Sequence, residues 1–81
     1  MVQKIYSKIE TLNYINEELM KRKISNYDLS LILQISESAV SRKLNGNRDF
    51  TIQELITIAD LFEMDLMKML HFKIKVTRKV N

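Results

Sequence analysis

The chain has 81 residues, 46% hydrophobic and 28% charged, with a net charge of +3 and a pI near 9.3; that length suits one small domain over residues 1–81 whose modest core makes self-association a reasonable expectation. It has no cysteine, which excludes a disulfide framework and a thiolate metal site. The start, "MVQKIYSKIETLNYINEEL", carries charges every few residues and no apolar run, which argues against a signal peptide or membrane span and for a cytoplasmic protein.

With no proline and a single glycine, the chain favours helix, and its breaks must be read from caps and polar clusters. Leu12, Ile15 and Leu19 recur at helical spacing and predict a first helix over residues 13–22. Residues 2–12, with Val2, Ile5 and Ile9, read as an N-terminal helical extension. It is either continuous with the first helix or a separate turn, and its stripe either packs on the core, the favoured reading, or is offered to a partner.

Ser25 and Asp28 are spaced as a capping box, which predicts a second helix over 26–33 with Leu29, Ile32 and Leu33 inward. Ser36 suits the N-cap of a third helix over 37–45, with Glu37 in its first turn and Gly46 as a left-handed C-terminal cap. Thr51 and Glu54 form another capping box, and Ile52, Leu55, Ile58, Ala59 and Phe62 continue the helical period over 52–63. Asp65 can cap a short fifth helix, "LMKML". From Phe72 the period becomes two, with Phe72, Ile74 and Val76 on one side and Lys73, Lys75 and Thr77 on the other, which reads as a strand. The predicted fold is all-α: a five-helix bundle, core 13–70, with a basic strand or tail over 71–81.

Basic residues gather at 21–23, 42–48 and 73–79, whereas Glu54, Asp60, Glu63 and Asp65 form an acidic stretch. At about 100° per residue, Val40 and Leu44 share one side of the third helix, and Ser38, Arg42 and Asn45 lie opposite with Ser41 beside them. A short helix with small polar side chains and one guanidinium outward is what a DNA major groove accepts, since arginine can grip guanine O6 and N7 together. Leu29, Leu33, Ile35 and Val40 are spaced to press the second and third helices together across a tight turn, and Ser30 is small enough to let them approach.

The segment "SNYDLSLILQISESAVSRKLNGNRDFTIQELITIADLFEMDLMKML" resembles the lambda-repressor-like helix-turn-helix family of phage repressors, Cro proteins and related Xre-type bacterial regulators. With the first helix included, the resemblance covers about residues 13–70. It implies a bundle of about five helices that binds a double-stranded DNA operator, usually as a homodimer on two related half-sites, with the third helix as the reader. By that resemblance Glu37, Ser38, Ser41 and Arg42 hold the base-reading positions. Asn26, Ser36, Asn45, Asn47 and Arg48 hold phosphate-contacting ones. The chain departs from the family pattern in having Gln34 and the region of Lys23 where glycine is common, and Lys43 where an apolar residue is frequent.

Other readings compete at several positions. Lys21, Arg22 and Lys23 read as a solvated helix end before a phosphate grip, and the acidic residues of the fourth helix as a solvated face. The methionines of "EMDLMKML" read mainly as core, and Met67 and Leu70, with Phe72, Ile74 and Val76, are candidate dimer contacts. The tail is either a strand paired with its twin in a dimer, the favoured reading, or a free basic arm. Lone His71 has no companion at metal-ligand spacing, and no nucleophile-base pair or glycine-rich phosphate loop is present. No enzyme, metal, cofactor or small-molecule ligand is expected. A protein-interaction module of antitoxin or anti-repressor type is the alternative function, and single-stranded nucleic-acid binding ranks third.

Overall fold

The computed structural model describes the backbone of residues 2–76 and the side chains of residues 4–72. In chain order the elements are β1 (Val2–Tyr6), α1 (Lys8–Lys21), α2 (Asn26–Leu33), α3 (Glu37–Leu44), α4 (Ile52–Leu61), α5 (Leu66–Met69) and β2 (Phe72–Val76). Both expected capping boxes form, at Ser25 with Asp28 and at Thr51 with Glu54, and the Ser36 hydroxyl accepts from the Ala39 N–H at 3.0 Å. Each supplies an acceptor to an N–H that the helix itself leaves without one. Asp65 caps α5 differently: its backbone carbonyl accepts from Lys68 and Met69, while its side chain makes no capping bond.

The four longer helices all end in a left-handed residue: Lys23 (φ 57°), Gln34 (φ 58°), Gly46 (φ 84°) and Glu63 (φ 54°). The residue after it reaches back to the last turn, as Ile24 to Leu19 (2.9 Å), Ile35 to Ser30 (3.1 Å), Asn47 to Arg42 (2.9 Å) and Met64 to Ala59 (3.0 Å). These are Schellman closures, which satisfy carbonyls left open at a helix end. In three of them the closing residue is apolar and packs on the core, namely Ile24, Ile35 and Met64. In the fourth it is Asn47, which stays exposed. The single glycine occupies the end of α3, where an added Cβ would also stand 3.4 Å from Leu12 Cδ1.

Every helix contributes to one core: Ile15 and Leu19 from α1, Leu29 from α2, Val40 and Leu44 from α3, Leu55, Ile58 and Ala59 from α4 with its cap Phe62, and Met69 from α5. This is the all-α helix-turn-helix bundle that the sequence predicts. Two residues expected inward are not. Ile32 faces solvent beside the buried Leu29, and Ile52 is 65% exposed, so the buried stripe of α4 starts one turn later.

The N-terminal extension is corrected in its first half: residues 2–6 are strand, whereas residues 8–12 are helical and continuous with the first helix, which starts at Lys8. β1 pairs with β2 of the same chain, antiparallel, with Val2 opposite Val76 and Tyr6 opposite Phe72. The strand at the C-terminus therefore exists, but its partner is the chain's own start. The basic residues beyond Val76 lie outside the described residues. Where the two termini meet, the His71 N–H donates to the buried Thr11 hydroxyl at 2.8 Å, and the His71 carbonyl accepts from the Ser7 N–H at 2.7 Å. The Tyr6 and Phe72 rings meet edge to face at 6.0 Å, a cross-strand pair that adds to the sheet's stability.

Candidate nucleic-acid interface

α2 and α3 are joined by Gln34, Ile35 and Ser36. Ser30 of α2 is small and buried, and its hydroxyl donates to the Tyr27 carbonyl at 2.6 Å, so it brings no unsatisfied polar atom into the interior. Gln34 takes the left-handed conformation for which the family commonly supplies glycine, so the turn keeps its shape and the side chain points to solvent.

α3 buries Val40 and Leu44 and turns Glu37, Ser38, Arg42 and its cap Asn45 to solvent, with Ser41 half-exposed on the same side. Among the described residues, none of the side chains of Glu37, Ser38, Ser41 and Arg42 is engaged in an intramolecular hydrogen bond or ion pair. Ser36 uses its oxygen as an acceptor and keeps its O–H to donate. Asn26 is exposed at the first turn of α2, and Asn47 and Arg48 are exposed in the loop after α3.

That loop is held from outside. The Lys8 ammonium, at the start of α1, donates to the Gly46 carbonyl at 3.0 Å and pairs with Asp49 at 2.6 Å. The hydrogen bond and charge of Lys8 hold the Asp49 carboxyl below its ordinary range. Asn16 adds a second tie from α1, donating to the Leu44 carbonyl at 3.3 Å. The exposed loop residues thus follow a backbone tied to α1 at Leu44 and Gly46.

One feature differs from the sequence expectation. Lys43, placed where an apolar residue is frequent, is 5% exposed, and its ammonium meets Glu54 Oε1 at 2.6 Å; Glu54 is itself 9% exposed. The acidic side of α4 is therefore not wholly a solvated face. Burial, the largest single influence, pushes the Glu54 carboxyl up, but the bonds from Lys43 and from the Thr51 N–H, with the Lys43 charge, outweigh it and hold the group below its ordinary value. Of the basic cluster at 21–23, Lys21 pairs with Glu18 at 3.4 Å, Arg22 lies 4.9 Å over the Phe62 ring and donates to the Phe62 carbonyl, and Lys23 forms the left-handed cap. Arg22 closes the bundle by cation-π contact and hydrogen bond.

Two helices across a tight turn, the second showing a row of short polar side chains and one guanidinium, constitute a helix-turn-helix. The family model for Cro/C1-type helix-turn-helix DNA-binding domains matches residues 14–72, and the chain belongs to that family. No curated protein and no solved structure matches the chain. Its fold is thus that of a DNA-binding domain, and among the described residues no helix is long and apolar enough to cross a membrane.

Proposed function

We propose that this protein is a sequence-specific, double-stranded DNA-binding transcriptional regulator of the Cro or repressor kind, which sits on a pseudo-palindromic operator as a homodimer. Glu37, Ser38, Ser41 and Arg42 read bases in the major groove, and Asn26, Ser36, Asn45, Asn47 and Arg48 hold phosphates. The observation that carries the reading is the outward face of α3, with its hydroxyls and guanidinium uncommitted among the described residues. Arg42 gives that face its one bidentate donor.

The dimer is supported by an apolar surface beside the sheet and α1, which borders the loop after α3 at Arg48 and Asp49. A cavity of about 540 Å³ opens between the sheet, α1 and the start of α4, lined in part by Tyr6, Leu12, Phe50, Ile52, Leu70 and Phe72. Met67 is 63% exposed. A sheet of only two strands is marginal in water and gains from further partners. Met67, Leu70, Phe72, Ile74 and Val76 are the proposed contacts. In such a dimer two α3 helices roughly 34 Å apart meet successive major grooves, and repression follows from occupying a promoter.

Selection of bound sites from a random duplex pool tests the proposal. The expected product is a two-fold-related consensus, bound with an affinity that falls steeply with salt, the logarithmic slope growing by roughly 0.9 for each phosphate contacted. Recovery of no consensus, with salt-insensitive binding to a protein instead, would establish the interaction-module alternative.

A further inference from the structure

The Lys43–Glu54 pair has no part in the proposed contacts, yet it places two charges in the interior, one of them on the reading helix itself. Replacing a buried ion pair by apolar or neutral groups of similar size often leaves a protein as stable or more so. Stability alone does not account for it. Its geometry does. The apolar side of α3 is narrow, with Val40 and Leu44 as its buried apolar residues, and apolar contact is non-directional. Such a stripe resists lifting of the helix better than it resists rolling.

Lys43 lies about 60° round the helix from Val40, on the flank of the stripe. From there its ammonium reaches Glu54 Oε1 at 2.6 Å. That carboxylate cannot swing away, because the same oxygen accepts from the Thr51 N–H at 2.8 Å while the Glu54 N–H donates to the Thr51 hydroxyl at 3.1 Å. The capping box of α4 thereby serves as a fixed post, and Lys43 as the tether from α3 to it. A roll of roughly 20° moves atoms at the rim of a helix, roughly 5–6 Å from its axis, by roughly 2 Å, enough to break a hydrogen bond to a base edge.

We propose that Lys43 and Glu54 are positioning residues that fix the roll of α3 and so set base discrimination, an inference that rests on α3 being the reader. The test is the double variant Lys43→Met with Glu54→Gln, in which glutamine retains the capping box. The ratio of affinities for the best selected duplex and for an unrelated duplex is expected to fall roughly tenfold, as for the loss of one good base contact. The denaturation midpoint is expected to stay equal or rise.

Since the chain has no cysteine, nitroxides at Ser38→Cys and Asp60→Cys report the α3–α4 distance in the free protein, and pulsed electron paramagnetic resonance should show a broader distribution in the double variant. Discrimination within about twofold of the parent would overturn the proposal, whatever the stability does. If the parent itself fails to discriminate among duplexes, the reader assignment fails, and an unbroadened distance distribution then refutes the tether independently of DNA.

Discussion

Lys23, Gln34 and Glu63 hold left-handed backbone without being glycine. Left-handed geometry costs an L-residue about 1–2 kcal/mol, and glycine returns part of that as unfolded-state entropy, about 0.5–1 kcal/mol. Gln34→Gly should therefore raise stability by about 0.5–1 kcal/mol in urea unfolding, with the turn preserved; a loss of stability would mean that the glutamine side chain makes a contribution the strain does not outweigh. Glu54→Gln acts in the opposite direction. It leaves the Lys43 ammonium buried without its counter-charge, which should cost about 3 kcal/mol at neutral pH. Because the folded carboxyl titrates below its ordinary value of 4.5, its contribution is present above that value and is lost as pH falls through the lower, folded one. Acid unfolding of the parent should accordingly show a steeper loss below pH 4.5 than that of the variant, and equal slopes would contradict the pair.

At the scale of elements, the ends of α2, α3 and α4 are legible in the sequence because their determinants are local. Ser25 with Asp28, Ser36, and Thr51 with Glu54 each satisfy N–H groups within three residues. β1 is not legible in that way. Val2, Ile5 and Ile9 fall at helical spacing, and what makes a strand of residues 2–6 is pairing with residues 72–76 at the other end of the chain. The junction depends on Thr11, whose hydroxyl accepts the His71 N–H inside the protein. Thr11→Val keeps the shape and removes the acceptor, so it should destabilise the fold by about 1–3 kcal/mol and speed amide exchange at His71. Unchanged exchange there would show that the junction is held by other contacts.

The outward face of α3, proposed to read bases, is legible by wheel geometry, since Val40 and Leu44 define its inner side and leave Ser38 and Arg42 outward. The tether behind it is not, for no local rule links positions 43 and 54. A signal does exist in retrospect: Lys43 falls beside Val40 on the wheel, and Glu54 adjoins the inward row of α4 begun by Leu55. Similarly, nothing in the sequence around Lys8 announces that it would grip a loop beginning 38 residues later.

For the whole molecule, Lys8 and Lys43 both bear on one short helix and the loop after it, while the junction of the two termini is tied to the start of α1 through Ser7 and Thr11. With α3 tied in this way, we propose that it meets the duplex with a surface already formed in the free protein, recognition by complementarity more than by induced ordering. The most direct measurement of that claim is the affinity of the parent and of Arg42→Ala for the selected duplex and for each of its single-base variants, at one fixed salt concentration. The predicted result is a loss of about 1–3 kcal/mol on the selected duplex, with preference flattened at one base pair per half-site and kept elsewhere. An unchanged affinity and an unchanged base preference would contradict the assignment of α3 as the reader.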